Sequence, residues 1–146
     1  MTVVWTWIAT AAAGLFAGAA LYVSLVEHPA RVGCGPPMAV AQFRLSYPRG
    51  AALQAPVAVV GGLAGVGAWL AGAPPGWLGA GVLLGLVVPY TLVAIMPTNR
   101  RLLDRALEPD TPEAERLLRR WGFMHLARTA LSLLAFGWML RLLLRA

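Results

Sequence analysis

Apolar positions in this chain come in long unbroken blocks. They show neither the alternation of a half-buried strand nor the three-and-four spacing of an amphipathic helix. Residues 3–26 carry no charge, and neither do residues 51–98. At about 1.5 Å rise per residue, the first block makes roughly 36 Å of helix, enough to cross a hydrocarbon core about 30 Å thick. The second block is too long for one crossing. Gly72-Ala73-Pro74-Pro75-Gly76 is a strong turn signal inside it. Near the C-terminus the uncharged stretch 129–140 is too short to span, so a fourth crossing has to take in His125 and Arg128. The pattern predicts one domain over 1–146: an all-α, integral membrane four-helix bundle. Its spans are expected at about 3–26, 51–71, 77–96 and 121–144.

The connections read as follows. Pro29 should end the first helix soon after Glu27. A short interfacial helix is expected over 37–47, and Pro89 should kink the third span. Thr111-Pro112-Glu113 reads as a helix start: N-cap, proline in the first turn, acid near the positive end of the dipole. That helix should run into the fourth span. Gly14 and Gly18, Gly61 and Gly65, and Gly81 and Gly85 repeat a small-xxx-small spacing that lets helices approach closely. The N-terminus lacks the basic region of a signal peptide and reads as a retained span.

Composition agrees with the membrane class: 59% of residues are hydrophobic and 12% charged. The net charge of +6 lies beside apolar segments. It therefore reads as contact with membrane lipid, not nucleic acid. Nine of the twelve arginines fall in the connections after spans one and three, against two near the C-terminus and none in the Pro-Pro hairpin. By the positive-inside rule, both long connections face the cytoplasm and both termini lie outside, in a cell (inner) membrane. The Ala, Gly, Leu, Pro and Arg usage points to a GC-rich bacterial genome. Cys34 is the one cysteine and cannot form an internal disulfide.

This topology gathers the polar residues at one end. Glu27, His28, Gln54, Asn99, Arg100, His125 and Arg128 all fall at span ends on the cytoplasmic side. Trp121, His125, Arg128 and Ser132 share a helix face. Ionisable groups at that depth normally face the bundle interior with a partner, and Glu27 is the nearest acid to Arg128 or His125. The expected arrangement is a polar floor of Glu27, His125 and Arg128 with Asn99 at its rim, below an apolar pocket. A transition metal or haem held through His28 and His125 is an alternative with poor ligand spacing. A third reading takes the cluster as a structural lock in a non-enzymatic subunit or small-molecule carrier. A homo-oligomer is compatible with the glycine-rich faces. No Walker loop, dinucleotide fingerprint, serine elbow or cysteine cluster is present.

Three stretches together resemble the anthrone-oxygenase-like family of small four-span membrane proteins. They are Glu27-His28-Pro29-Ala30-Arg31, Pro97-Thr98-Asn99-Arg100 with Leu102, and Trp121 with His125 and Arg128. The resemblance implies oxidation of a lipophilic aromatic or quinone-like molecule by dioxygen with no established cofactor. It implies Glu27 or His125 as base and Arg128 and Asn99 as donors to an oxyanion. Tyr22, His28, Tyr90, Arg100 and Trp121 are then the candidate substrate-binding residues.

Overall fold

In the computed structural model, which describes residues 1–145, the chain is all-helical with no strand among the described residues. Four helices are long and apolar enough to cross a membrane: α1 (Thr2–Gly33), α2 (Pro36–Leu70), α3 (Gly76–Leu103) and α4 (Pro112–Leu143). Each of α1 and α3 packs against both α2 and α4, giving an up-down-up-down bundle. Two of the three connections are tight and turn on glycines with positive φ, Gly35 (+84°) and Gly72 (+97°). The third, residues 104–111, is held by Arg44. Its guanidinium donates to the carbonyls of Leu102 (3.2 Å), Asp104 (2.6 Å) and Leu107 (3.3 Å). In that loop the Ala106 N–H and then Arg101 hold the Asp104 carboxyl below its ordinary pKa.

The helices run past the expected spans because prolines do not end them. α1 continues through Pro29 to Gly33, and α3 through Pro97 to Leu103. In each case a wide turn comes first. Val23–Glu27 and Thr91–Ile95 are π turns, closed by the N–H of His28 on the Val23 carbonyl and of Met96 on the Thr91 carbonyl. The proline follows immediately in both. A wide turn gives its ring room to pass the carbonyl below it. The expected separate helix over 37–47 is likewise part of α2, which carries Pro48 and Pro56 inside it. Both prolines are exposed, so neither ring meets a neighbouring helix. In α3 the regular helix is interrupted at Leu86, one turn before Pro89.

α2 has 35 residues, about 52 Å of helix. That exceeds the bilayer core by several turns, and the surplus stands at the end where α1 and α3 finish and α4 begins. α4 starts as its sequence reads, with Thr111 Oγ1 accepting from the Ala114 N–H (3.3 Å).

Two buried clusters fill the bundle. One holds Phe16, Ala58, Ala64, Trp77, Leu84 and Met139; the other, at the polar end, holds Val40, Phe43, Ile95, Leu102, Leu118 and Trp121. The first depends on backbone contact between α2 and α3. A Cβ on Gly65 would stand 2.6 Å from Gly81 Cα, and one on Gly81 would stand 2.8 Å from the Gly62 carbonyl oxygen. A Cβ on Gly14 would stand 3.0 Å from the Phe136 ring, whereas one on Gly18 would meet open space. Gly65→Ala and Gly81→Ala should therefore each destabilise by about 1–3 kcal/mol through overpacking. Gly18→Ala should be neutral or slightly stabilising by helix propensity. Thermal unfolding in detergent measures the contrast, and equal melting temperatures for all three would refute this packing.

Candidate functional site

Between the two clusters lies a cavity of about 160 Å³. Phe16, Ala58, Val87, Val88 and Leu92 form its apolar side; Glu27, Tyr47, Gln54, Asn99, His125 and Arg128 form its polar side, with Trp121 and Ile95 between. Both π turns contribute to the wall, through Val23 and Glu27 and through Thr91, Leu92 and Ile95. The cavity reaches the bundle surface between α2 and α3, where its lining residues Ala55 and Leu92 are exposed.

Three side-chain groups build the polar side. In the first, Arg31 and Gln42 both donate to Glu27 Oε1, Gln42 at 2.9 Å. Ser46 also stands by the Glu27 carboxylate. Among the described residues the Arg31 and Gln42 bonds both fall on Oε1, leaving Oε2 the less engaged oxygen. Arg31 also reaches Ser46 (3.3 Å) and stands over the rings of Phe43 and Trp121 at 5.5 and 5.6 Å.

The second group lies on α4. Arg128 donates to Gln54 Oε1 (2.8 Å) and to His125 Nε2 (2.6 Å), and lies 5.4 Å from the Phe16 ring centre. A guanidinium only donates, so His125 Nε2 accepts and its proton sits on Nδ1. That N–H points to Ser24 Oγ at 2.9 Å. Ser24 then donates to Thr129 Oγ1 (2.8 Å), whose own proton goes to the backbone carbonyl of His125 (3.0 Å) or Ala20 (3.2 Å). His125 is thus neutral, with both nitrogens engaged. No carboxylate pairs with Arg128 among the described residues, and its buried Nε has no partner.

The third group is Trp121, Asn99 and Tyr47. Trp121 Nε1 donates to Asn99 Oδ1 (2.7 Å), and Asn99 Nδ2 donates to Tyr47 Oη (2.8 Å). Trp121 stacks on His125 with ring centres 4.6 Å apart, and packs against His28 at 4.9 Å.

Of the residues expected at a site, the fold brings Glu27, Asn99, Trp121, His125 and Arg128 to one cavity. Glu27 is bound to neither His125 nor Arg128. Because α1 stays helical beyond Glu27, Arg31 follows one turn later on the same face and pairs with it. Asn99, expected at the rim, is fully buried. Tyr22 is 58% exposed; one helix position from Val23 turns it about 100° away from the cavity. Arg100 is exposed for the same reason, next to Asn99. Tyr90 donates to the Met124 carbonyl (3.2 Å) and is not part of the wall. His28 is buried against Trp121 and Gly122, outside the cavity, where a Cβ on Gly122 would collide with its ring. The two histidines do not fit a metal or haem centre. Both His125 nitrogens are occupied, and no group of three His, Cys, Asp or Glu is clustered among the described residues.

Tyr47, Ser24 and Gln42 were missed as site residues, and Gln54, placed at the polar end, was given no role there. Gln54 had a signal: it is the one amide in the apolar stretch 51–89. Tyr47 had a weaker one, its four-residue spacing from Phe43.

Fold and cavity define a multi-pass membrane protein with an internal chamber that is polar on one side. Residues 43–138 match the family described as anthrone oxygenase. That is well over half of the chain, and the chain belongs to this family. The matched segment includes Tyr47, Asn99, Trp121, His125 and Arg128; Glu27 and Arg31 lie before it. No curated protein and no solved structure matches.

The pairing pattern makes a measurable forecast. Glu27→Gln should destabilise the bundle toward the lower end of the roughly 3–5 kcal/mol of a broken buried pair, because Glu27 is 22% exposed. A double-mutant cycle of Glu27→Gln with Arg31→Met should show strong coupling. The cycle with Arg128→Met should come out near additive, within about 0.5 kcal/mol. Strong coupling in the second cycle and none in the first would reverse the assignment.

Proposed function

We propose that this chain is a membrane oxygenase-like protein acting on a lipophilic aromatic or quinone-like molecule. The proposed reaction turns an anthrone-type methylene into a carbonyl with dioxygen as oxidant. One observation carries the reading: a single cavity wall holds a carboxylate with one less engaged oxygen and a guanidinium with no carboxylate partner. Family membership supports the same direction.

The chemistry starts from the acidity of a methylene flanked by two aromatic rings and conjugated to a carbonyl. Glu27 Oε2 takes one proton as general base. The electron pair moves onto the carbonyl oxygen, and the enolate anion is stabilised by Arg128. The enolate then reduces dioxygen, forming a C–O bond and, after protonation, a hydroperoxide. Loss of the second C–H proton breaks the O–O bond and gives the new carbonyl and water. One methylene and one dioxygen become one carbonyl and one water, and no further electron donor enters. His125, neutral and locked by Ser24, positions Arg128 and is not the base in this scheme.

The cavity's size limits how such a substrate would sit. An enclosed apolar cavity of about 150 Å³ holds a single benzene ring. A tricyclic substrate would bring its reacting ring to the polar side and leave the rest in the opening between α2 and α3. That opening faces lipid, so a lipophilic substrate would reach it through the bilayer.

Anthrone supplied to the purified protein in lipid nanodiscs should consume oxygen and yield anthraquinone in a one-to-one ratio. Glu27→Gln should lower kcat by about a hundredfold or more, the usual contribution of a general base. Oxygen uptake no faster than in empty nanodiscs would sink the reading. For orientation, we place the α1–α2 turn in the cytoplasm and both termini outside, in the cell's inner membrane. Cys34 lies exposed in that turn. A membrane-impermeant maleimide should label it in inverted vesicles and leave it unlabelled in intact cells; the opposite pattern would invert the topology.

A further inference from the structure

We infer that Tyr47 is the hydrogen-bond donor that receives the carbonyl oxygen of the ligand, and that Trp121 and Asn99 exist to aim it. The inference rests on the cavity being a ligand site, as proposed above, and adds a residue that no part of that scheme uses.

The Trp121 indole has one polar hydrogen and cannot accept. Its Nε1 lies 2.7 Å from Asn99, so the atom facing it is the amide oxygen. This settles which way the amide points; a flipped Asn99 would set two donors against each other. The NH₂ group must therefore face Tyr47, at 2.8 Å. Tyr47 Oη is obliged to accept, and its own hydrogen is left over. Among the described residues the hydroxyl makes no other hydrogen bond, yet Tyr47 lines the cavity. Asn99 is fully buried and Trp121 nearly so, so water cannot easily compete for the relay. A donor fixed in this way beside an apolar chamber selects for an oxygen acceptor on the ligand. It strengthens its bond as that oxygen gains negative charge. Tyr47 and Arg128 then share the oxyanion. Asn99 is a positioning residue.

The test compares tricyclic ligands with and without the acceptor. Anthraquinone and 9,10-dihydroanthracene share a tricyclic frame, and only the first carries carbonyls. Binding of each is measured with the purified full chain in nanodiscs, and empty nanodiscs give each compound's own partition into lipid, so that both dissociation constants refer to the lipid phase. The wild type should prefer the ketone. Tyr47→Phe should reduce that preference roughly tenfold, about one hydrogen bond, while dihydroanthracene binds unchanged and so reports an intact fold. Asn99→Asp keeps Tyr47 and an acceptor for Trp121, but its carboxylate has nothing to donate. The tyrosine proton should turn onto it, and the ketone preference should fall as in Tyr47→Phe. If Asn99→Asp also loses dihydroanthracene binding it has not folded, and the Tyr47→Phe result decides alone. A ketone preference that survives Tyr47→Phe overturns the inference, as does a wild type with no preference. The oxygenase reading fails separately. A wild type that discriminates the ketone through Tyr47 but consumes no oxygen with anthrone would keep this inference and remove that function.

Discussion

The structure depends on one constraint: in a bilayer, a backbone cannot leave its polar groups unpaired, so the chain stays helical wherever it can. Pro29 and Pro97 would end helices in a water-soluble protein. Here each follows a π turn whose extra residue makes room for the ring. Helix α1 is thereby carried on to Arg31, and α3 to Asn99, before either ends. Had α1 stopped at Glu27, its carboxylate would have no cation one turn on. Had α3 stopped at Met96, Asn99 would lie in a loop and Trp121 would lack its acceptor. The cavity opens between these two wide turns, and its polar wall follows from their survival.

This also explains what was legible in the sequence. Uncharged block length revealed four helices, and the spacing of Trp121, His125 and Arg128 revealed the inward face of α4. Both are properties of single segments, which sequence periodicity reports directly. The partner of Glu27 was not legible, because Pro29 read as a stop and hid that Arg31 sits four residues on in the same helix. Tyr47 was hidden by the same error on α2. Pro48 read as the end of a short interfacial helix, so Phe43, Tyr47 and Gln54 were never placed along one continuous rod. Tyr22 and Arg100 were overvalued because they neighbour true wall residues in sequence. On a helix, the next residue points about 100° elsewhere.

The two arginines at the cavity are held in different ways. Arg31 is neutralised within its own helix by Glu27 and lies against the Phe43 and Trp121 rings. That unit is self-contained and would cost stability if split. Arg128 is held by dipoles: an amide oxygen, the lone pair of a neutral imidazole and the face of Phe16. These satisfy hydrogen bonds but supply no negative charge.

With His125 neutral, the formal charges at the wall are Glu27, Arg31 and Arg128, a sum of +1. A lone cation at a membrane boundary is costly, and a fold selected only for stability would remove it or pair it. Gln54 is the informative position. It stands where a glutamate would complete an ion pair, and it instead offers a neutral oxygen that orients Arg128 without quenching it. A charge that is oriented yet unquenched attracts whichever anion enters, or forms, in the cavity. In the proposed reaction an enolate oxygen would arise only as the reaction proceeds, so the attraction would grow toward the transition state. Pairing Arg128 with a carboxylate would spend that attraction before any ligand arrived.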